Sequence, residues 1–370
     1  MRNKLIALLA ALCAAGLSGC GAEPATTAVA PAALSLDTFR AADAPCYDRS
    51  VQPQTSVVDT HVHFRPFGGP AIPFEEVVQY FEETGVLFAN VYGIGQTLPA
   101  GSTCTYYLDC PGTPVTPSLK NDFVNAANYL TKAPADIHLT LSMTFPDLAA
   151  PETILPGIEL LEAEYPGLFR WMGEVNLVKQ ALFDNGHAPV SPAAMAEWAP
   201  FMAVLRERGI PLAVHSDLGD DDDPTRYLPL VEEVLRLYPD NALVWVHMGL
   251  SRELTRMEPA RHVELMTAML ESHPNLMLDI AWRVLEDAYF STPDGQAAYV
   301  PFLNAHSDRI LPGTDFLASR DKDLEVYRTE LEVTSRINRY LDDDAFRNIA
   351  LGQNYFRLLG LGYQAPPVCP

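Results

Sequence analysis

Two histidines one residue apart, His61-Val62-His63, close a run of branched apolar residues, VVDTHVH (57–63). Residues two apart on a strand present their side chains on one face, so the end of this run sets two imidazoles side by side. That is half of a metal site. The other half is scattered along the chain. Glu174 lies in FRWMGEVNL (169–177), His215 ends IPLAVHS (210–216), His247 stands in ALVWVHM (242–248), and Asp315 closes RILPGTD (309–315). Neutral imidazoles with carboxylates suit zinc, and also iron or manganese. Of the nine histidines, these four fall at the ends of predicted strands. The other five, His138, His187, His262, His273 and His306, fall at strand starts, in loops or on helices and read as structural or solvated.

The elements that must position these side chains follow from the apolar pattern. Besides the five runs above, VLFANVYGI (86–94), IHLTLSMTF (137–145) and NLMLDIAW (275–282) read as strands. Helical patterns lie between them at Phe74–Thr84, Pro192–Arg208, Tyr227–Tyr238, Arg256–Ser272 and Asp323–Tyr340. Eight strands alternating with helices, each about 25–35 residues from the next, predict an α/β fold: a (β/α)8 TIM barrel around a parallel eight-stranded core, for which about 250 residues is typical. Such barrels carry their chemistry at the C-terminal ends of the strands, where His61, His63, Glu174, His215, His247 and Asp315 fall. A doubly wound open sheet is the alternative, but no glycine fingerprint for a dinucleotide follows the first strand.

The order of the segments VVDTHVHF, MGEVNL, LAVHSD, LVWVHMG, LPGTDF and IALGQNYFRLLGL resembles the amidohydrolase superfamily, and within it the amidohydrolase-related branch, over residues 55–362. The resemblance implies a metal-dependent hydrolase in which His61, His63, His215 and Asp315 hold the metal. That metal brings the pKa of water toward neutrality, and Asp315 acts as general base. With one zinc, His247 is left to polarise a carbonyl or donate a proton. With two, His215 and His247 take the second ion and Glu174 bridges. Some members bridge through a carboxylated lysine; here Lys179 follows Glu174 by five residues, past the predicted strand end. The implied reaction is hydrolysis of an amide, ester or lactone. Non-oxidative decarboxylation of an aromatic or unsaturated acid is the alternative within the same branch. A binding lipoprotein without catalysis is a third reading, against which every expected ligand position is filled.

For the substrate, Arg65 in HVHFR resembles the arginine that clamps a carboxylate in members acting on cyclic amides, and a guanidinium fork fits a carboxylate bidentately. It could equally pair with Asp217. Arg283, in DIAWR after the seventh strand, is a second candidate, with Trp282 and Tyr92 as possible pocket walls. The run Asp220–Asp223 reads as a solvated acidic loop rather than a calcium site.

The chain has 370 residues, 48% hydrophobic and 19% charged, which is the composition of a globular protein. Its formal net charge of −22 repels phosphate backbones and excludes nucleic acid as a partner. Arg2, Lys4 and the apolar run Leu5–Leu17 read as an export signal over residues 1–19. Leu17-Ser18-Gly19-Cys20 resembles a lipobox, which implies acylation of Cys20 and a membrane partner through the lipid. Residues 20–50, rich in Ala, Pro and Thr, read as a tether, and residues 51–370 as the barrel. Gly21 replaces the aspartate that often retains lipoproteins at the inner membrane, so the expected place is the bacterial envelope, at the outer membrane facing the periplasm. In that oxidising compartment Cys104 and Cys110, bracketing CTYYLDC, are expected to pair, leaving Cys46 with Cys369.

Overall fold

The computed structural model describes residues 34–370; the export signal, Cys20 and the first part of the tether lie outside the described residues. Strands β1 (Val58–His63), β2 (Phe88–Tyr92), β3 (His138–Met143), β4 (Phe169–Val178), β5 (Leu212–Ser216), β6 (Leu243–Trp245), β7 (Leu276–Asp279), β8 (Ile310–Leu311) and β9 (Phe316–Leu317) form one sheet. Every pairing in it is parallel. In hydrogen-bonding order it runs β8-β7-β6-β5-β4-β3-β2-β1-β9. The two end strands are halves of one interrupted eighth strand, since β8 pairs with β7 and β9 pairs with β1. Backbone bonds carry the closure: Thr60 N–H donates to the Pro312 carbonyl (3.0 Å), and Asp315 N–H donates to that of His61 (2.8 Å). This is the arrangement of the (β/α)8 barrel that the spacing predicts.

Strands covered by helices outside and side chains inside are buried on both faces, so they read as near-continuous apolar runs. All six residues of β1 and all five of β2 and of β5 are buried. The helices are one-sided. Phe74–Thr84 buries Phe74, Val77, Val78 and Phe81 at helical spacing, and Gly85 ends it in the left-handed conformation. The helix expected over Pro192–Arg208 is two pieces, Pro192–Ala196 and Ala199–Arg208, because Pro200 has no N–H to give to the preceding turn.

Most strands are shorter than predicted, and two of the differences shape the site. β6 stops at Trp245, where the chain turns through left-handed His247 and Met248. The eighth strand breaks at Pro312, which lacks a ladder donor. The packed unit also starts earlier than residue 51. It begins at Leu34, and Phe39, on the short helix Leu36–Arg40, is fully buried against the rings of Phe88 and Phe356. Tyr47 pairs with Val368 beside a Cys46–Cys369 disulfide, and Cys104 is bonded to Cys110.

Candidate metal centre

The six candidate residues converge, although Glu174 stands inside β4 and not at its end as expected. His61 and His63 project from the end of β1 with Nε2 atoms 3.2 Å apart. Glu174 Oε2, from the middle of β4, lies 3.6 Å from His61 Nε2 and 3.2 Å from His63 Nε2. Asp315 Oδ1, between β8 and β9, lies 3.5 and 3.3 Å from the same two nitrogens. These separations match a known shell. Ligand atoms bound tetrahedrally to zinc at about 2.0–2.2 Å stand roughly 3.3–3.6 Å from one another. The four residues fit a divalent metal ion.

Orientation supports the fit. His63 Nδ1–H donates to the Gly93 carbonyl (2.7 Å) and His61 Nδ1–H donates to Asp279 Oδ2 (2.8 Å). Each bond fixes the tautomer and turns the Nε2 lone pair into the gap, as at histidine metal sites generally. Asp279 Oδ1 also accepts from Ala281 N–H (2.7 Å). His247 Nδ1–H donates to the Ala281 carbonyl (3.0 Å), which leaves Nε2 3.9 Å from Asp315 Oδ2. His215 Nε2 bonds Asp217 Oδ1 (2.9 Å), and its Nδ1 contacts Glu174 Oε1. Glu174 Oε2 therefore stands where the resemblance placed His215, and His215 sits behind it on the second carboxylate oxygen.

The backbone is bent to achieve this. The four non-glycine residues with positive φ among the described residues are His247 (56°), Met248 (52°), Trp282 (85°) and Asp315 (54°). All follow the C-terminal ends of strands β6, β7 and β8. Side chains rarely adopt this region without compensation, and such outliers cluster at functional sites.

Charge is concentrated here. Burial raises Asp315, but its bond to His63 and the nearby His247 and His61 outweigh it and bring the group to about 2. Burial likewise opposes ionisation of Glu174, yet Lys179 and His215 hold it well below the ordinary carboxylate range. Burial lowers His61, but Asp279, Glu174 and Asp315 more than offset this and push it up to about 10, so without a metal its Nε2 carries a proton that a bound ion would displace. The two ionised carboxylates, Glu174 and Asp315, attract a cation into the gap beside His61 and His63.

Other expected residues fall elsewhere. The Arg65 side chain lines a separate hollow of about 260 Å³ with Gln96, Lys120 and Asn121, and among the described residues its buried Nε has no partner. It does not pair with Asp217, which is taken by His215 and by Gln180 N–H. Arg283 is held by Asp287 (2.8 Å) and Glu330 (3.5 Å). Tyr92 and Trp282 do reach the centre, with ring centroids 4.5 Å from His61 and 5.0 Å from His247 respectively. In the acidic run, Asp221 accepts from Thr255 and Arg256, and Asp220 pairs with Arg226. It clamps loops.

Three residues of the site were not assigned a place in it from sequence. Asp279 orients His61 as above. Lys179 Nζ reaches Glu174 Oε1 at 2.8 Å. His187, read as structural, lines with His63, Glu174 and Lys179 a cleft of about 30 Å³, room for one or two waters. Burial first, then His215 and Lys179, push His187 down to about 4. The available signal was Asp279 near the end of an apolar strand, in the same kind of position as the assigned ligands.

Residues 172–354 match the family model described as Amidohydrolase. Among solved structures, the chain is similar to an amidohydrolase from Burkholderia multivorans with bound zinc, at 16% identity over 82% of this chain and 99% of that one, with a TM-score of 0.51. It is also similar to 4-oxalomesaconate hydratase from Rhodopseudomonas palustris (16% identity, 82% and 95% covered, TM-score 0.47). A third is dihydroorotase from Saccharomyces cerevisiae (12% identity, 80% and 84% covered, TM-score 0.47). No curated protein matches the chain. From Met172 on β4 to Asn354 beyond β9, the stretch that carries Glu174, His215, His247 and Asp315 is similar to the amidohydrolase family model, and the chain shares the barrel fold of the zinc-bound amidohydrolase.

Proposed function

We propose that this protein is a metal-dependent hydrolase of an amide, ester or lactone, with zinc as the metal. The observation that carries the reading is the four-donor gap of His61, His63, Glu174 and Asp315, with the far nitrogen of each histidine already anchored. A divalent ion held there, with a further position open to water, would supply Lewis acidity and bring the pKa of that water toward neutrality.

The chain's own groups do the rest. Asp315 turns Oδ1 toward the histidines and Oδ2 toward His247, so Oδ2 takes the proton of the attacking water and returns it to the leaving group. His247 keeps Nδ1–H on the Ala281 carbonyl and offers Nε2 for that exchange. Arg252, over the Trp282 ring (5.4 Å), and Lys322, over the Phe316 ring (5.1 Å), are cations beside the residues that flank His247 and Asp315. They support a substrate that carries a carboxylate. The LSGC tetrad and the two disulfides support export to an oxidising compartment and attachment to the envelope membrane through Cys20.

The test is turnover of a panel of carboxylate-bearing amides, esters and lactones by the zinc-loaded protein, with Asp315→Asn as control. Hydrolysis is expected, with net uptake of water, and a loss of roughly 10²–10⁴-fold in the variant at unchanged circular dichroism. Release of carbon dioxide instead would assign the decarboxylase chemistry. Near-wild-type turnover by Asp315→Asn would sink the mechanism.

A further inference from the structure

A second set of donors lies beside the first. Glu174, His215 and His247 bring one ligand atom each within 4.8 Å of one another, and a two-metal centre would place its second ion there. The oxygen that this ion would share, Glu174 Oε1, is already engaged. Lys179 Nζ lies 2.8 Å from it, and His215 Nδ1 contacts it as well. The lysine is not a passing surface group: its side chain is 12% exposed, and the ammonium also lies 5.3 Å from the Phe67 ring centroid. His247, the third donor, turns its free nitrogen toward Asp315.

We infer that Lys179 supplies from within the protein the positive charge that a second metal ion would bring, so that the centre holds one ion. An ion on Glu174 Oε1 would face a buried ammonium on the same oxygen, and like charges this close in a buried site repel strongly. With the ammonium in place, Oε1 is neutralised and Oε2 is left for the four-donor gap. The lysine thereby sets the metal count. The inference rests on the metal-dependent reading above and goes further, to the number of ions and the residue that fixes it.

The experiment is zinc stoichiometry by plasma mass spectrometry on the full chain, stripped with chelator, saturated with zinc and desalted. The wild type, Lys179→Met and Lys179→Arg are compared, with circular dichroism to confirm folding. The expected result is about one zinc in the wild type and in Lys179→Arg, which keeps the charge, and about two in Lys179→Met. Should Lys179→Met fail to fold, native mass spectrometry of the wild type across a zinc titration decides alone, a single plateau at one ion supporting the inference. Two ions in the wild type overturn it and leave the metal reading standing, as does a carboxylated Lys179, about 44 Da heavier. One ion in both the wild type and a folded Lys179→Met also overturns it. No zinc in any form removes the metal reading, and this inference with it.

Discussion

Asp279 binds nothing in the four-donor gap, yet His61 depends on it for tautomer and direction, and His247 N–H lies 3.4 Å from its other oxygen. Partners of this kind are worth about 10–100-fold in metal affinity. Asp279→Ala should weaken zinc binding by that factor in competition with a chromophoric chelator, while the four donors remain; unchanged affinity would show that His61 is held by packing alone. A different histidine contributes to the pH dependence of stability. His262 is fully buried, with Nε2–H donating to the Met248 carbonyl (3.0 Å) and Nδ1 accepting from Tyr299 (2.8 Å). Burial pushes it down to about 4. The unfolded chain takes up this proton near pH 6.5 and the folded one does not until about 4, so its contribution is complete above 6.5 and declines as pH falls through that window. The buried carboxyls Asp59 and Asp122, raised to about 6 and 7, act in the opposite sense, so the test is the difference: the urea midpoint of His262→Gln should rise relative to that of the wild type as pH falls from 6.5 to 4.5. A difference that stays constant over that range would assign the pH dependence to other groups. At this scale the sequence was legible where a residue type announces its chemistry at a strand end, as with His61, His63 and Asp315. It placed Lys179 only past the predicted strand end; the irregular register of β4 between Asn176 and Val178, on the approach to the lysine that reaches Glu174, is not visible in periodicity.

The strands were legible because burial on both faces writes itself as apolar runs, and all eight were found in place. Their ends were not, and the reason is local. Gly313 sits where the interrupted eighth strand passes β1: a Cβ there would lie 2.8 Å from His61 Cβ and 3.0 Å from Ala281 Cβ. Only glycine lets the two segments approach so closely while Asp315 N–H bonds to the His61 carbonyl. Gly313→Ala should therefore act on the metal centre through the backbone. We expect a loss of about 1–3 kcal/mol in stability together with weakened zinc binding, measured by denaturation with and without metal. A stable variant with full metal affinity would mean that β1 can shift without disturbing its histidines. Periodicity cannot show this kind of constraint, because it concerns how near two backbones come and not which face a residue occupies.

For the described residues as a whole, the segment around Phe39–Tyr47 and the last segment are a structural unit. Phe39 enters the core, Tyr47 pairs with Val368, and Cys46 is bonded to Cys369 across a sequence separation of 323. The cysteine spacing made this pairing legible, whereas the helix Leu36–Arg40 was hidden in what reads as a tether, since five residues carry too short a pattern. Removing the bridge with Cys46→Ser and Cys369→Ser should lower stability by about 2–5 kcal/mol, seen as a lower urea midpoint; an equal midpoint would place the strength of the closure in the backbone pairing at Tyr47. The bridge also changes what a protease can do. Joined at 46 and 369, the intervening chain is a covalent ring, and one cut in any loop between them releases no fragment. The nicked molecule gains only the mass of one water and keeps its barrel, and it parts into two bands on a gel only after reductant is added.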